Sequence, residues 1–436
     1  MSDFDLLVRG AEQDIGIVDG KISALAPNLS GSANTEIDAK GLTIFPGLID
    51  AHVHFNEPGR TDWEGFETGS RAAAAGGTTT VFEMPLNAHP PTTNRESFES
   101  KRAAAEASSL VDFGLWGGFV PGNLSDLDAL RDCGVVGLKA FMCNSGISDF
   151  PHVDRATLRA GMQRAAELDL LVAVHAESEE MTSALTGAAR AADKNKVRDY
   201  LDSRPIAAEL EAIRCAIESA AETGCRLHIV HASCGSGVAL VAEARGRGID
   251  VTCETCPHYL VLTEHDMEQL GAVAKCAPPL RSNDEQRQLR QRLSDVTTIG
   301  SDHSPSPPEM KSCENFFDVW GGISGCQHLL SLLIDAEIPP DEIRRLTSGD
   351  VATRFRVSAK GTIAVGKDAD FTLVDLNAQE TITAEALHYR HQQSPYVGRT
   401  LRGCIRRTFL RGQTIFEDGK FVTPPMGKLV RPDGGK

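Results

Sequence analysis

The chain has no apolar run approaching the ~18 residues of a membrane-spanning helix, which excludes a helical membrane anchor. It has no basic stripe. The net charge is −16 and the pI about 5.3, so a nucleic-acid partner is not expected. The opening Met1-Ser-Asp-Phe-Asp-Leu-Leu-Val-Arg9 lacks the basic-then-apolar layout of a signal peptide. The eleven cysteines are odd in number and lack disulfide-like spacing, which leads to an expectation of reduced thiols in a cytoplasm. Cys253 and Cys256 form a CxxC, but no second pair and no βαβ redox context accompany it, so they are read as core thiols.

What is present is length and alternation. A chain of 436 residues exceeds the roughly 250 of a bare α/β barrel, which suggests one large domain and a smaller one. Residues 4–40 have an all-β texture with a tight turn at Asp19-Gly20, and the texture returns at 369–376 and 408–416 before a second Asp418-Gly419. Neither end has strands enough for a sandwich, so one composite β domain from both termini is expected, made of residues 1–45 and 356–436. Between them, residues 46–355 alternate strand and helix. Strands are expected at 43–54, 78–84, 111–119, 135–142, 170–177, 226–232, 250–256 and 297–302. One of the intervening helices runs from Ile206 to Ala221, with Leu210, Ile213 and Ile217 on one stripe. Eight repeats give the arithmetic of an α/β fold of the (β/α)8 TIM-barrel type, the alternative being an open doubly wound sheet.

Polar residues at the C-terminal strand ends favour the barrel, because barrel active sites are built there. They are His52 and His54, Lys139, His175, His231 and Asp302. His52 and His54 lie two apart on a strand and so aim two imidazoles at one spot, an economical half-site for zinc or a similar ion. His228 lies on the opposite face of its strand from His231 and is expected to pack elsewhere. Each residue alone has a bland explanation as a packed or solvated side chain. Lys139 resists it most, since lysines are seldom buried without a partner. A desolvated lysine loses its proton readily, and the neutral amine can add carbon dioxide to become an anionic carbamate able to bridge two metals. Two such ions, about 3.5–4 Å apart, acidify a water and polarise a carbonyl.

These residues, in this order, resemble the cyclic amidohydrolases, a branch of the metal-dependent amidohydrolase superfamily, over nearly the whole chain. The resemblance implies His52, His54, Lys139, His175, His231 and Asp302 as ligands of two divalent ions, zinc by analogy, with Lys139 as N6-carboxylysine. It also implies a homotetramer. Three branches compete. His52-Val-His-Phe-Asn-Glu-Pro-Gly59 looks like the dihydroorotase signature, except that Asn56 stands where that branch has a carboxylate-pairing arginine. Hydantoinases and dihydropyrimidinases have a tyrosine where this chain has Asn144. Phe55-Asn-Glu-Pro-Gly-Arg-Thr-Asp-Trp-Glu-Gly65, Met84-Pro-Leu-Asn87, the run from Ser301 to Lys311, Val319-Trp-Gly-Gly-Ile323 and Ser394-Pro-Tyr-Val-Gly-Arg-Thr400 all look like the bacterial allantoinase family. That likeness implies hydrolysis of allantoin to allantoate in purine breakdown, with Asp302 as base and then acid. Asn56, Asn87, Ala277 and Gly321 are the expected substrate contacts, and the role of His303 is left open between orienting Asp302 and packing. A non-enzymatic scaffold is disfavoured because all six ligand positions are filled.

Overall fold

A computed structural model describes residues 2–434. Eight parallel strands form its centre: β1 (Leu48–Val53), β2 (Thr78–Glu83), β3 (Asp112–Leu115, resuming at Gly117–Gly118), β4 (Leu138–Phe141), β5 (Leu171–His175), β6 (Arg226–Ile229), β7 (Val251–Thr255) and β8 (Thr298–Ile299). Each pairs in parallel with the next. The circle closes just beyond β8, where His303 bridges Val53 and its carbonyl accepts the His54 N–H at 2.8 Å. Helices return the chain between strands. The one at Ile206–Thr223 buries Ile213 and Ile217 of the expected stripe, with Ala212 and Ala216 beside them in place of Leu210, which stays half-buried. It ends on Gly224 at φ 69°, a left-handed stop that suits glycine. The one at Arg155–Glu167 starts where the Asp154 side chain accepts the Thr157 N–H at 2.7 Å. The molecule is a (β/α)8 barrel. Among the described residues no helix is long and apolar enough to cross a membrane.

Strand alternation sorts the side chains. On β4, Leu138 and Ala140 join the outer core with the helices, whereas Phe141 belongs to the inner cluster with Trp116 and Phe355. Lys139 shares the inward side with Phe141. On β5, Val172 and Val174 pack outward, and Leu171 and Ala173 inward. Cys253 and Cys256 are buried in the outer core, where burial pushes the Cys253 thiol up to about 12.

The single strand expected at 43–54 is two. Thr43–Pro46 pairs antiparallel with Phe371–Thr381, and the barrel begins at Leu48. The chain crosses between the two sheets at Gly47, where a Cβ would come within 2.2 Å of Thr79 Oγ1. Thr43–Pro46 thus becomes the edge of a five-stranded sheet otherwise made of residues 371–421. A four-stranded sheet of residues 4–38 faces it. Val8, Ile15 and Ile17 from one sheet and Ile44, Phe371 and Phe409 from the other share one core cluster, a sandwich built from both termini. Its hairpin turns are Asp19-Gly20, at φ 51° and 73°, and Asp418-Gly419, at φ 44° and 83°.

Candidate metal centre

Six side chains anticipated from the sequence meet above the C-terminal ends of the strands. His52 is on β1 and His54 just past it, with ring centroids 5.4 Å apart. Lys139 is on β4, and His175 ends β5. His231 and Asp302 follow β6 and β8. Alternation alone would turn His231 outward with Ile229. Its backbone instead takes a left-handed φ of 39°, and Asp302 does the same at φ 47°. Asn56 and Asn87 are left-handed too, at φ 65° and 69°. Such strain is costly for a side-chain-bearing residue, and here it gathers around one site.

The hydrogen-bond geometry fixes where the lone pairs point. Nδ1 of His52 lies 2.7 Å from Glu254 Oε1. A carboxylate only accepts, so the ring proton sits on Nδ1. Nε2 of His52 then faces Asp302 Oδ1 at 3.2 Å, and Nε2 of His54 faces the same oxygen at 3.5 Å. Burial pushes the His54 imidazole down to about 4, so near neutrality this ring is uncharged. The Asn87 carboxamide nitrogen lies 3.3 Å from its Nδ1 and donates to it, so the tautomer of this ring is the one with the proton on Nε2. Burial would raise the Asp302 carboxyl, but the neighbouring imidazoles outweigh it and keep the group below the usual carboxylate range. An ionised oxygen facing the His52 lone pair favours a positive charge between them, which a bound cation would supply.

The second half-site is built alike. Nε2 of His175 is 2.7 Å from Glu177 Oε2, which leaves Nδ1 as the lone pair, 3.0 Å from His231 Nε2. Burial lowers both imidazoles, and Nδ1 of His231 is buried without a partner. Lys139 is completely buried, and its Nζ has no hydrogen-bond partner. The Phe141 ring lies 4.7 Å from it. Burial pushes it down to about 7, so a large fraction is neutral amine near pH 7. Neutral imidazoles, one carboxylate and an unpartnered lysine able to become a carbamate suit divalent ions with mixed nitrogen and oxygen ligands. Cys143 also lies close to His175 and Glu177, and burial pushes its thiol up to about 12.

The site opens on a cavity of about 540 Å³. Asn87, Asn144, Ala277 and Gly321 line it, and Asn56 does not. Asn56 is fully buried behind the wall, its N–H donating to Glu83 Oε1 at 3.1 Å, and its carboxamide nitrogen is 3.5 Å from the Pro305 carbonyl. The expected substrate contact there is replaced by a turn-forming role. His303 packs: Nδ1 accepts the Gly325 N–H at 3.2 Å and Nε2 faces Glu64 at 3.5 Å, so the ring does not orient Asp302.

Sequence reasoning missed the carboxylates behind the ligands. Glu254 sits inside the strand Val251–Thr255 and Glu177 two residues after β5, where Arg204 pairs with it. A charge inside a strand-like run is the signal that drew attention to Lys139, and it was equally available for Glu254. Partners of this kind fix ring tautomers and raise ligand basicity.

Comparison with known proteins agrees with this architecture. The profile of the Amidohydrolase family matches residues 43–415. The chain is 55% identical to a protein named allantoinase from Rubrobacter xylanophilus, over 100% of this chain and 99% of that one. It is 49% identical to an allantoinase from Deinococcus radiodurans, over 98% and 99%. Among solved structures it resembles an L-hydantoinase (dihydropyrimidinase) from Arthrobacter aurescens, with TM-score 0.96, 33% identity and coverage of 98% and 100%. With the barrel, the strand-end residues and a profile match over most of its length, the chain belongs to the amidohydrolase family.

Proposed function

We propose that this chain hydrolyses the hydantoin ring of allantoin to give allantoate. Full-length likeness to allantoinases supports the reading, and one observation of the cavity carries it. Each buried cation in the wall is already engaged: Arg204 by Glu177, and Lys275 by the carbonyls of Phe316 and Val319, both at 2.6 Å. Arg190, at the exposed mouth, pairs with Asp318 at 2.6 Å. A neutral, amide-rich ring suits such a wall better than a carboxylate-bearing one.

In this reading residues 46–355 form the hydrolytic unit, and residues 1–45 with 356–436 the composite β unit. His52, His54, Lys139 as N6-carboxylysine, His175, His231 and Asp302 hold two divalent ions, with zinc the favoured identity. When bound, the ions supply Lewis acidity toward the ring carbonyl and the attacking water. Asp302, ionised and aimed into the site, takes a proton from that water. The oxygen bonds to the acyl carbon, the ring C–N bond breaks, and Asp302 returns the proton to the departing nitrogen. Glu254 and Glu177 hold His52 and His175 in the tautomers this arrangement needs.

A homotetramer belongs to the same proposal, and light scattering tests it. The primary test is turnover of allantoin to allantoate by metal-replete protein, with metal content measured alongside. About two ions per chain and activity abolished by chelation are expected. Full turnover by a metal-free preparation is the result that sinks the reading.

A further inference from the structure

One wall of the cavity is a strap, residues 316–322, that belongs to no helix or strand. Phe317, Val319, Trp320 and Gly321 from it face the cavity. Backbone without a regular ladder must satisfy its carbonyls elsewhere. Here two lysines with no part in the hydrolysis take them up. Nζ of Lys275 donates to the carbonyls of Phe316 at 2.6 Å, Val319 at 2.6 Å and Phe317 at 3.3 Å. Nζ of Lys311 donates to those of Gly322 at 2.7 Å, Trp320 at 2.9 Å and Ala272 at 3.1 Å. The Gly322 N–H returns to the Lys275 carbonyl at 2.8 Å. An ammonium has three donors, so each lysine is saturated by backbone.

Neither has a carboxylate partner among the described residues; burial disfavours their charge, whereas the three carbonyl oxygens around each Nζ, which only accept, favour the ammonium. What the two cations hold is the shape of the strap. A trans peptide is planar, with C=O and N–H opposed. The Trp320 carbonyl aimed at Lys311 therefore turns the Gly321 N–H the other way, and that N–H has no partner among the described residues. A Cβ built at Gly321 meets nothing within 4 Å, so this position faces open space.

We propose that Lys275 and Lys311 are positioning residues that pre-set the strap, so that the Gly321 N–H is offered to a carbonyl of a cyclic amide substrate before it arrives. This rests on the cyclic-amide reading above and adds the elements that shape the substrate wall. Preorganisation of this kind improves binding by removing the cost of ordering the loop at the moment of association.

Lys275→Met and Lys311→Met keep the apolar stem and remove the three donors. Each is expected to raise KM at least about tenfold, with kcat within about threefold and metal content equal to wild type. Unchanged KM overturns the proposal, as does a joint loss of metal and kcat with KM unmoved. If a methionine variant does not fold, hydrogen exchange of the wild-type holoenzyme decides. Slow exchange of the backbone-paired amides of Phe316, Trp320 and Gly322, equal with and without allantoate, supports pre-setting. Fast exchange that slows only with ligand overturns it. Kinetics are read on whichever cyclic amide the wild type opens, so failure of allantoin as substrate stays distinguishable from failure of the lysine proposal.

Discussion

Lys139 sits where an ammonium is least stable: fully buried, with no hydrogen-bond acceptor at its Nζ. Carboxylation would replace that cation by an anion facing the imidazoles. Lys139→Ala should therefore lose most activity and metal, and short carboxylic acids should restore part of both. Lys139→Arg is permanently cationic and should not hold two ions. An arginine variant that keeps both metals and turns over normally would contradict the bridging role. Glu254 is tested differently, because it touches a ligand and not the ions. Glu254→Gln leaves a neutral acceptor on His52 Nδ1, and metal affinity should fall about 10–100-fold in chelator competition. Unaltered affinity would reduce Glu254 to a packing residue. The two cases differ in how visible they were. Lys139 stands out in its own strand, whereas the purpose of Glu254 depends on a histidine 202 positions earlier in the chain.

At the scale of elements, period-two alternation explains Lys139 and His175 from sequence, since both share the inward side of their strands with the inner-core residues Phe141 and Ala173. It fails for His231, which shares the outward parity of Ile229 and reaches the centre only through left-handed backbone, at φ 39°. No local pattern specifies that conformation for histidine; it is imposed by the packed barrel rim. The break at Gly47 was hidden for a related reason. Thr43–Pro46 and Leu48–Val53 read as one apolar run, and only tertiary pairing assigns them to different sheets. The sandwich is fastened to the barrel by buried charge. Nζ of Lys360 lies 2.6 Å from both Asp112, on β3, and Asp370, and 3.0 Å from Asp368. Lys360→Met leaves these carboxylates without their shared cation, and breaking a buried ion network from one side costs roughly 3–5 kcal/mol. Urea unfolding should show a loss of that size, while the metal centre keeps its ion content in the folded fraction. A change below about 1 kcal/mol would mean that Arg411, which also contacts Asp112, carries the junction.

For the whole molecule, the barrel supplies the reaction centre and the cavity wall supplies the choice of substrate. Dihydroorotate carries a carboxylate that must lose its water on entry. The buried cations it would meet are Arg204, held by Glu177, and Lys275, saturated by carbonyls. Recruiting either would strip a partner from Glu177 or from the strap, so the cost falls on binding and on the site together. Arg190 remains, but its side chain is 44% exposed, and water screens what it can offer. Simple hydantoins meet the opposite deficit. They would occupy the ring site without a ureido arm, and so forgo the contacts that arm could make with the polar part of the wall. Sites lined with polar groups reject imperfect analogues by on the order of 10²–10⁴-fold. Measured side by side on metal-replete protein, kcat/KM should be highest for allantoin. Dihydroorotate should fail mainly through KM, and hydantoin and dihydrouracil should be weak. Equal efficiency on dihydroorotate would show that a wall cation is free to bind a carboxylate after all. Preference for hydantoin would move the chain toward the branch whose solved structures share its fold at TM-score 0.96.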